Sequence, residues 1–399
     1  MDCLINLLAV VPNGLWEKLI IVFNNAFGNF ALSIIILTIC IKLVMLPLDF
    51  CNKYFGDKNA RQQAILKPEE EKIKAKYTQS KAMLRATPER QRQIKQQESM
   101  EIQKMYKQKG FNPMGSCLVT LLNLALTLTV FITLINGLNA MASYKIQDQY
   151  EQLQIAYVSQ YVDDNYDFTI YDKLEENNAK SDDDETKQSI YEIVSPYVAE
   201  ITEEADIAVA NKNVENKYKE VKESFLWIDN IWIADTPFTS SIPTFDGYAN
   251  VAMLDKESKE NTDLKNTYNK IMEPLKETSG RANGFFILSI LTGATAFLNQ
   301  WLISRRQKKL SKKAFEEQQR KRNDVMPQMA TAGKTMMIVM PILLTLFSLM
   351  YTSLFSIYLV TSQLIVIATT PLINLINEKI SKRQKNKKND IVPKNPRRV

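Results

Sequence analysis

Apolar residues in this chain are concentrated in five runs, each of a length that suits a membrane-spanning helix. The runs cover residues 30–48, 117–138, 285–303, 335–351 and 354–376. A helix rises about 1.5 Å per residue, so the first run reaches roughly 28 Å, close to the roughly 30 Å of hydrocarbon in a bilayer. Only two residues separate the last two runs, which predicts a tight helical hairpin. The pattern therefore predicts an all-α polytopic membrane protein built as a five-span helical bundle.

The segments between the runs differ in charge, and this difference predicts the side of the membrane on which each lies. Residues 49–116, 304–334 and 377–399 carry 15, 10 and 9 Lys or Arg against 8, 3 and 2 Asp or Glu. Residues 139–284 carry 14 basic against 29 acidic residues. Because segments rich in Lys and Arg stay in the cytoplasm, we expect the N-terminus outside and the C-terminus inside. The overall net charge of +6 hides this division.

Two of the polar segments carry helical patterns. Residues 1–29 form an N-terminal outer segment, and within it residues 15–27 have the apolar spacing of an amphipathic helix lying on the membrane surface. Residues 57–77 and 88–109 are rich in good helix formers, with a turn-like stretch between them. They predict a basic cytoplasmic helical hairpin.

The remaining segments are an acidic extracytoplasmic insert, residues 139–284, and the basic tail. The insert is polar and helix-prone, with residues 181–185 (SDDDE) as an expected loop and residues 264–276 as an expected short helix. Its aromatic stretch at residues 225–233 (FLWIDNIWI) is expected at the membrane interface or beneath the insert. Residues 379–398 have few apolar side chains, which predicts a disordered tail.

Candidate chemistry within the spans centres on Lys42, the only charge in the first run. An ammonium there costs on the order of 2.5 to 3.5 kcal/mol on insertion scales. Lys42 either faces a polar pocket inside the membrane or extends its long stem to the nearer interface, and the run alone favours neither.

Other chemistry has little support in the sequence. The chain contains no His, its four Cys show neither zinc spacing nor a disulfide framework, and no nucleotide motif is present. We therefore expect no cofactor, no metal site and no catalytic residue, and an enzyme is the least favoured class.

Several short motifs occur in the same order as the predicted spans. They are IIILTICIKLVMLPL at 34–48, MYK with GFNPMGSC within 105–117, FLWI at 225–228, MMIVMP at 336–341, and Tyr with TSQ within 358–363. Together they resemble the YidC/Oxa/Alb family of membrane protein insertases, and in particular its bacterial, YidC-like members. Leu354 and Leu359 depart from that family, which usually has Gly and Trp there, and the insert is long for its position.

The resemblance implies insertion and folding of newly made membrane proteins, in the bacterial cell membrane, through a hydrophilic groove. Most bacterial members have Arg where this chain has Lys42, so the resemblance implies that Lys42 is the cation of the groove. Polar side chains at helical spacing are candidates to line it: Thr38, Thr120, Asn123, Thr127, Thr292, Thr295, Asn299, Thr361 and Gln363. For each of them, a hydrogen bond within or between helices is an equal alternative.

The expected partners are nascent membrane proteins and the lipid bilayer, with no specific nucleic-acid sequence. The resemblance adds the ribosome as a candidate partner of the basic tail, although retention in the cytoplasm explains the tail's charge equally well. Cooperation with the Sec translocon stays open. Two rival functions also stay open: a secondary transporter or channel, for which the chain lacks the expected internal repeat, and a membrane-anchored assembly factor in which the insert does the work.

Overall fold

The computed structural model describes residues 14–78, 87–111, 113–179, 188–319 and 332–391. These ranges form helices without a β-strand, which confirms the all-α class. In chain order the helices are α1 (Leu15–Phe27), α2 (Phe30–Thr78), α3 (Pro88–Gln108), α4 (Pro113–Asp164), α5 (Thr169–Ala179), α6 (Ile190–Glu200), α7 (Glu204–Val221), α8 (Phe245–Val251), α9 (Lys256–Glu260), α10 (Thr262–Ser279), α11 (Ile287–Gln319), α12 (Ala332–Met350) and α13 (Ser353–Ile391). The predicted loop at 181–185 lies outside the described residues.

Among the residues that the structure describes, four helical stretches are long and apolar enough to cross a membrane. They are Phe30–Tyr77, Leu121–Asp164, Ile287–Lys313 and Ser353–Ile380. A shorter apolar helix covers Ile338–Met350. These stretches follow the order of the predicted spans, and the short break between α12 and α13 is the predicted tight hairpin.

Several predicted spans are parts of much longer helices. The 49-residue α2 includes the first span and the first arm of the hairpin, with Pro47 and Pro68 inside it. The 52-residue α4 continues from the second span into the insert. Asp49, Gly137 and Asn139, beside the predicted boundaries, are poor helix formers. A helix that is already formed gains one hydrogen bond with each added residue and needs no new nucleus, so it continues where the apolar run ends.

The prediction of a disordered tail is wrong for residues 379–391, because α13 extends to Ile391. The helix is already formed in the span, so each added residue gains a hydrogen bond without a new nucleus. Lys, Arg and Gln are also good helix formers. The next proline that could stop the helix is Pro393.

The chain divides into two compact units. The first contains the insert with adjoining parts of the spans, and the second contains the hairpin with the other parts. The first unit is residues 1–39, 131–293 and 343–361, and the second is residues 40–130, 294–342 and 362–399.

The insert is folded around a cluster of aromatic side chains. Tyr150 of α4 lies 5.0 Å from Tyr248 and 4.9 Å from Tyr268 between ring centroids. Tyr268 is fully buried, and its hydroxyl donates to the Pro243 carbonyl at 2.9 Å. Around this cluster α10 packs against α6, α7 and α8. The short helix predicted within the insert is confirmed as part of α10.

The aromatic stretch at 225–233 lies beneath the insert and contacts two span ends of the first unit. The Ile233 carbonyl accepts hydrogen bonds from the backbone N–H and the hydroxyl of Ser353, at 2.9 and 2.6 Å. The Asp235 carboxylate accepts from the N–H groups of Phe285 and Leu288, at 2.9 and 2.6 Å. The first turns of α13 and α11 therefore have their free N–H groups satisfied.

Gly284 makes the approach of Asp235 possible. A Cβ at Gly284 would lie 1.8 Å from the Asp235 carboxylate, which is far inside van der Waals contact. Glycine is thus required where α11 begins.

The hairpin of the second unit has a small core of its own. Leu66 of α2 packs with Met105 and Phe111, and Tyr106 covers this cluster. The Tyr106 hydroxyl donates to Glu70 at 2.7 Å, which joins the two arms. The predicted helical hairpin is therefore present.

Candidate functional site

One face of α2 in the second unit carries four charges of alternating sign. Lys42, Asp49, Lys53 and Asp57 are separated by 7, 4 and 4 residues. A helix repeats every 3.6 residues, so these spacings place all four on one side. Asp49 interacts electrostatically with both lysines, and Lys53 also interacts with Asp57. We call these four residues the charged row; it extends about 22 Å along the helix.

Lys42 is the member of the charged row whose ammonium can still accept a hydrogen-bonding or ion-pairing partner. Within the described part of the chain its ammonium forms no hydrogen bond or ion pair, and the carboxylate that acts on it is Asp49, two turns away. Pro47 lies nearby in the same helix and has no N–H, so the Leu43 carbonyl lacks its usual helical partner. The surroundings of Lys42 thus include polar groups as well as apolar side chains.

Side chains from two other helices are bonded to the charged row. Asn123 of α4 forms a hydrogen bond to Asp49. The Lys53 ammonium donates to the Thr370 hydroxyl of α13. Since each bond joins residues far apart in sequence, the row lies between helices in the second unit.

Arg306 of α11 holds the end of the charged row. Its guanidinium donates to the Asp57 carboxylate at 2.8 Å and lies 3.6 Å from Glu378 of α13. The side chains of Arg306 and Asp57 are only 18% and 14% exposed, which weakens the screening of their attraction by water. Through its contacts with Asp57 and Glu378, Arg306 links α11 to α2 and to α13.

A further polar contact lies about two turns before Arg306 on α11 and before Thr370 on α13. Asn299 of α11 donates from its amide to Gln363 of α13 at 3.1 Å. Asn299 and Arg306 are seven residues apart, as are Gln363 and Thr370, so each pair shares a helix face. We call the charged row with Asn123, Asn299, Arg306, Gln363, Thr370 and Glu378 the polar seam.

The polar seam has hydrogen-bonding capacity that the described residues do not use. The side-chain oxygens of Asn123 and Asn299 are buried and have no partner among them, and both amide atoms of buried Asn377 are in the same condition. Buried amide groups are nearly always satisfied by protein or water. These side-chain atoms of the seam can therefore form hydrogen bonds that the described residues do not supply.

The predicted groove residues separate between the two units. Lys42, Asn123, Asn299 and Gln363 belong to the polar seam. Thr127 and Thr295 lie in the same unit and are partly exposed, whereas the side chain of Thr120 lies outside the described part of the structure.

The other three predicted residues belong to the first unit. The Thr38 hydroxyl donates to the Ile34 carbonyl at 2.6 Å, and that of Thr292 donates to the Leu288 carbonyl at 2.8 Å. Both bonds are the intrahelical alternative that the sequence leaves open. Thr361 is partly exposed.

Sequence reasoning missed the rest of the charged row because it stopped at the end of the apolar run. The signal was present in the spacing, since Asp49, Lys53 and Asp57 continue the helical face of Lys42. The partners Thr370 and Arg306 gave no such signal, because their pairing depends on how distant helices pack.

Two carboxyl groups of the insert have pKa values that their surroundings shift in opposite directions. Burial raises the pKa of Glu223 to about 7, against the attraction of Lys145 at 3.7 Å. Burial also acts on Asp229, but hydrogen bonds from Arg281 and Lys222 outweigh it and lower the pKa of that carboxyl to about 2. Asp229 is therefore charged at any physiological pH, whereas Glu223 titrates near neutrality.

Comparison with known proteins extends the resemblance along most of the chain. The sequence profile described as "60Kd inner membrane protein" matches residues 22–382. "Membrane protein insertase YidC" of Fusobacterium nucleatum is 35% identical over 111 residues, which are 28% of this chain and 45% of that protein. "Membrane protein insertase YidC 1" of Halalkalibacterium halodurans is 31% identical over 127 residues, 30% of this chain and 44% of that protein. The aligned regions thus span less than half of these relatives.

Proposed function

The chain belongs to the 60Kd inner membrane protein family, which is the YidC/Oxa/Alb family that its motifs resemble, and we propose that it inserts newly made membrane proteins into the bilayer. The observation that carries this proposal is the polar seam with its unpaired cation, Lys42. Nascent membrane proteins are the substrates, and the seam is the part of the groove that receives their polar segments.

The mechanism follows from the cost of moving polar groups through hydrocarbon. Burying a charge without a partner costs several kcal/mol or more. The side-chain oxygens of Asn123 and Asn299, which have no partner among the described residues, replace part of the water that a passing chain loses. Lys42 attracts carboxylates in the chain's short translocated segment, and no nucleotide is needed because transfer of the apolar segment into lipid is itself favourable.

The second part of the proposal is release into lipid. The helices that contribute to the seam also present apolar side chains outward, including Leu122, Phe297 and Leu364, which are 55%, 47% and 51% exposed. The free energy of an apolar substrate segment changes little when it passes from such a surface into lipid tails. Thr127 and Thr295, which lie in the same unit as the seam, remain proposed contributors to the groove.

The charge pattern supplies the proposed orientation. The N-terminus and the insert lie outside, and the hairpin, the basic loop at 304–334 and the C-terminal tail at 377–399 lie in the cytoplasm. There the basic segments are positioned to meet a ribosome that delivers the nascent chain.

Complementation tests the proposal. An insertase-depleted bacterium receives the intact chain, Lys42→Arg, Lys42→Ala or Lys42→Glu, and insertion of a short two-span substrate is scored at equal expression. We expect rescue by the intact chain and by Lys42→Arg, and loss with Lys42→Glu because a carboxylate repels acidic substrate residues. Lys42→Ala measures how much the charge contributes.

Lys58→Glu is the matched control. Lys58 is exposed on the same helix, and its spacing of 16 residues from Lys42 places it on the opposite side. We expect it to rescue like the intact chain. Rescue by Lys42→Glu equal to that by Lys58→Glu would remove the cation from the mechanism, and failure of well-expressed intact chain in two different hosts would refute the insertase function.

The insert supports a second candidate function, that of a membrane-anchored assembly factor, because it is folded around its own aromatic cluster. Replacing residues 142–222 by a short linker separates the two functions, since an anchored factor loses all activity and an insertase retains some. Expression must be checked, because this deletion removes Tyr150 from its contacts with Tyr248 and Tyr268.

A further inference from the structure

The first unit contains a cleft of about 350 Å³ that the proposed function does not use. It lies between the insert and the turn that joins α12 to α13, and its walls include Ala142, Trp232, Val251 and Met350. The volume is within the range of about 300–1,000 Å³ that small-molecule sites occupy. The lining is mainly apolar, with a few polar side chains at its edge.

The position of the cleft indicates what fills it. Met350 is the last residue of α12, and Ala142 lies four residues beyond the end of the predicted second span. The cleft is therefore level with the boundary between hydrocarbon and headgroups on the insert side of the membrane. Met350 and Met253 line it and are 77% and 59% exposed, so its apolar surface continues outward to where lipid lies.

A cation lies next to the polar edge of the cleft. Asn250 lines the cleft, and the exposed Lys259 of α9 donates to its side-chain oxygen at 3.3 Å. Lys256 of the same short helix is paired with Glu260 at 3.7 Å, so Lys259 is the cation that we consider at this edge. Apolar walls at membrane depth with an ammonium at one edge match the chemistry of a phospholipid, which combines an acyl chain with an anionic phosphate.

We propose that this cleft binds one phospholipid of the leaflet on the insert side. One acyl chain lies among Trp232, Val251 and Met350, and the phosphate lies beside Lys259. The bound lipid fills the space between the insert and the α12–α13 turn. This inference is independent of the insertase proposal.

Lipid retention measured by native mass spectrometry tests the site. The full chain is reconstituted in vesicles of phosphatidylethanolamine and phosphatidylglycerol, released in detergent, and compared with Val251→Trp, which fills the cleft. We expect the intact chain to retain one phospholipid more than Val251→Trp. Val209→Trp is the matched control, because Val209 is 43% exposed on α7 and does not line the cleft; it should retain as many lipids as the intact chain.

A second variant keeps the test decisive if Val251→Trp does not fold. Lys259→Glu changes an exposed side chain, and we expect it to reduce retention of phosphatidylglycerol several-fold relative to phosphatidylethanolamine. Equal retention by the intact chain and folded Val251→Trp, or an unchanged lipid preference in Lys259→Glu, would overturn the proposal. So would a photoreactive residue at Met253 that crosslinks to a substrate protein and never to lipid.

Discussion

At the scale of single residues, Glu223 and Asp229 lie close in sequence and hold their protons very differently. The Asp229 side chain is 3% exposed and has Arg281 at 2.5 Å and Lys222 at 2.9 Å. Glu223 is 25% exposed, and Lys145 approaches only to 3.7 Å. Strong hydrogen bonds favour the charged form of the first carboxyl, and burial favours the neutral form of the second.

Glu223 predicts a pH dependence of stability. Its pKa rises from the ordinary 4.5 to about 7 on folding, so the folded state binds the proton more tightly. Stability from this group is therefore present at pH 5 and is lost as pH rises through 7, by up to about 3 kcal/mol. Lys145, Asp148 and Trp232 are the groups that face Glu223.

Thermal unfolding between pH 5 and 8.5, followed by tryptophan fluorescence, measures this effect. We expect Glu223→Gln to flatten the pH profile and to be more stable than the intact chain at pH 8. Glu220→Gln, at a side chain that is 68% exposed, should leave the profile unchanged. Parallel profiles for the intact chain and Glu223→Gln would contradict the prediction.

Asp235 predicts a local effect on α11. Alanine at this position removes both acceptors from the N–H groups of Phe285 and Leu288, and loss of a helix cap costs about 0.5–2 kcal/mol. We expect a lower unfolding temperature for Asp235→Ala, measured in detergent. Asp246→Ala is the control, because the Asp246 side chain is 80% exposed and its ion pair is long, at 3.7 Å. Equal unfolding temperatures for the two variants would contradict the cap.

At the scale of helices, the pair Arg306 and Asp57 predicts non-additive mutations. Removing either partner leaves the other charge poorly hydrated, at a cost of about 1–3 kcal/mol. Removing both avoids that cost, so Asp57→Ala with Arg306→Ala should be no less stable than the worse single variant. Thermal unfolding of the four proteins gives the coupling energy.

Lys312 and Glu316 form the control pair on the same helix. They are 67% and 57% exposed and four residues apart, so their alanine variants should be additive and nearly neutral. Additive losses at Arg306 and Asp57 would mean that their contact does not link α2 to α11.

The sequence predicted which helices form better than it predicted the residues at which they begin and end. Apolar runs located the spans because they report where hydrocarbon is, but α2 and α4 continue past them because extension of a formed helix does not require apolar residues. Helical spacing was enough to find Asn299 and Gln363 separately. Their bond, and the bond of Lys53 to Thr370 across 317 residues, depend on tertiary packing that no local pattern encodes.

At the scale of the whole molecule, the alternating charge of the loops predicts the orientation. The four native cysteines are replaced by serine, and single cysteines are placed at Glu204 in the insert and Lys95 in the hairpin, both exposed. An impermeant maleimide should label Glu204→Cys in intact cells and Lys95→Cys only after permeabilisation. The reverse labelling would place the insert in the cytoplasm.

The insert could be predicted as helical but not as a fold. Its composition was enough to predict an acidic surface. Its core depends on Tyr150, Tyr248 and Tyr268, which come from three different helices. The contacts of Asp235 and Asn283 near the span ends were equally hard to predict, because both look like ordinary loop residues in the sequence.

Because α4 is unbroken, the number of residues at the boundary between span and insert determines how the later part of α4 is rotated about the helix axis. Each residue turns a helix by about 100°, so one extra residue after Leu138 would rotate the rest of α4 by more than a quarter of a circle. Tyr150 would then point away from its partners while Gly137 kept its place against Trp16. A loop absorbs such a change, but a continuous helix carries it forward. The length of this stretch therefore sets which side of α4 meets Tyr248 and Tyr268.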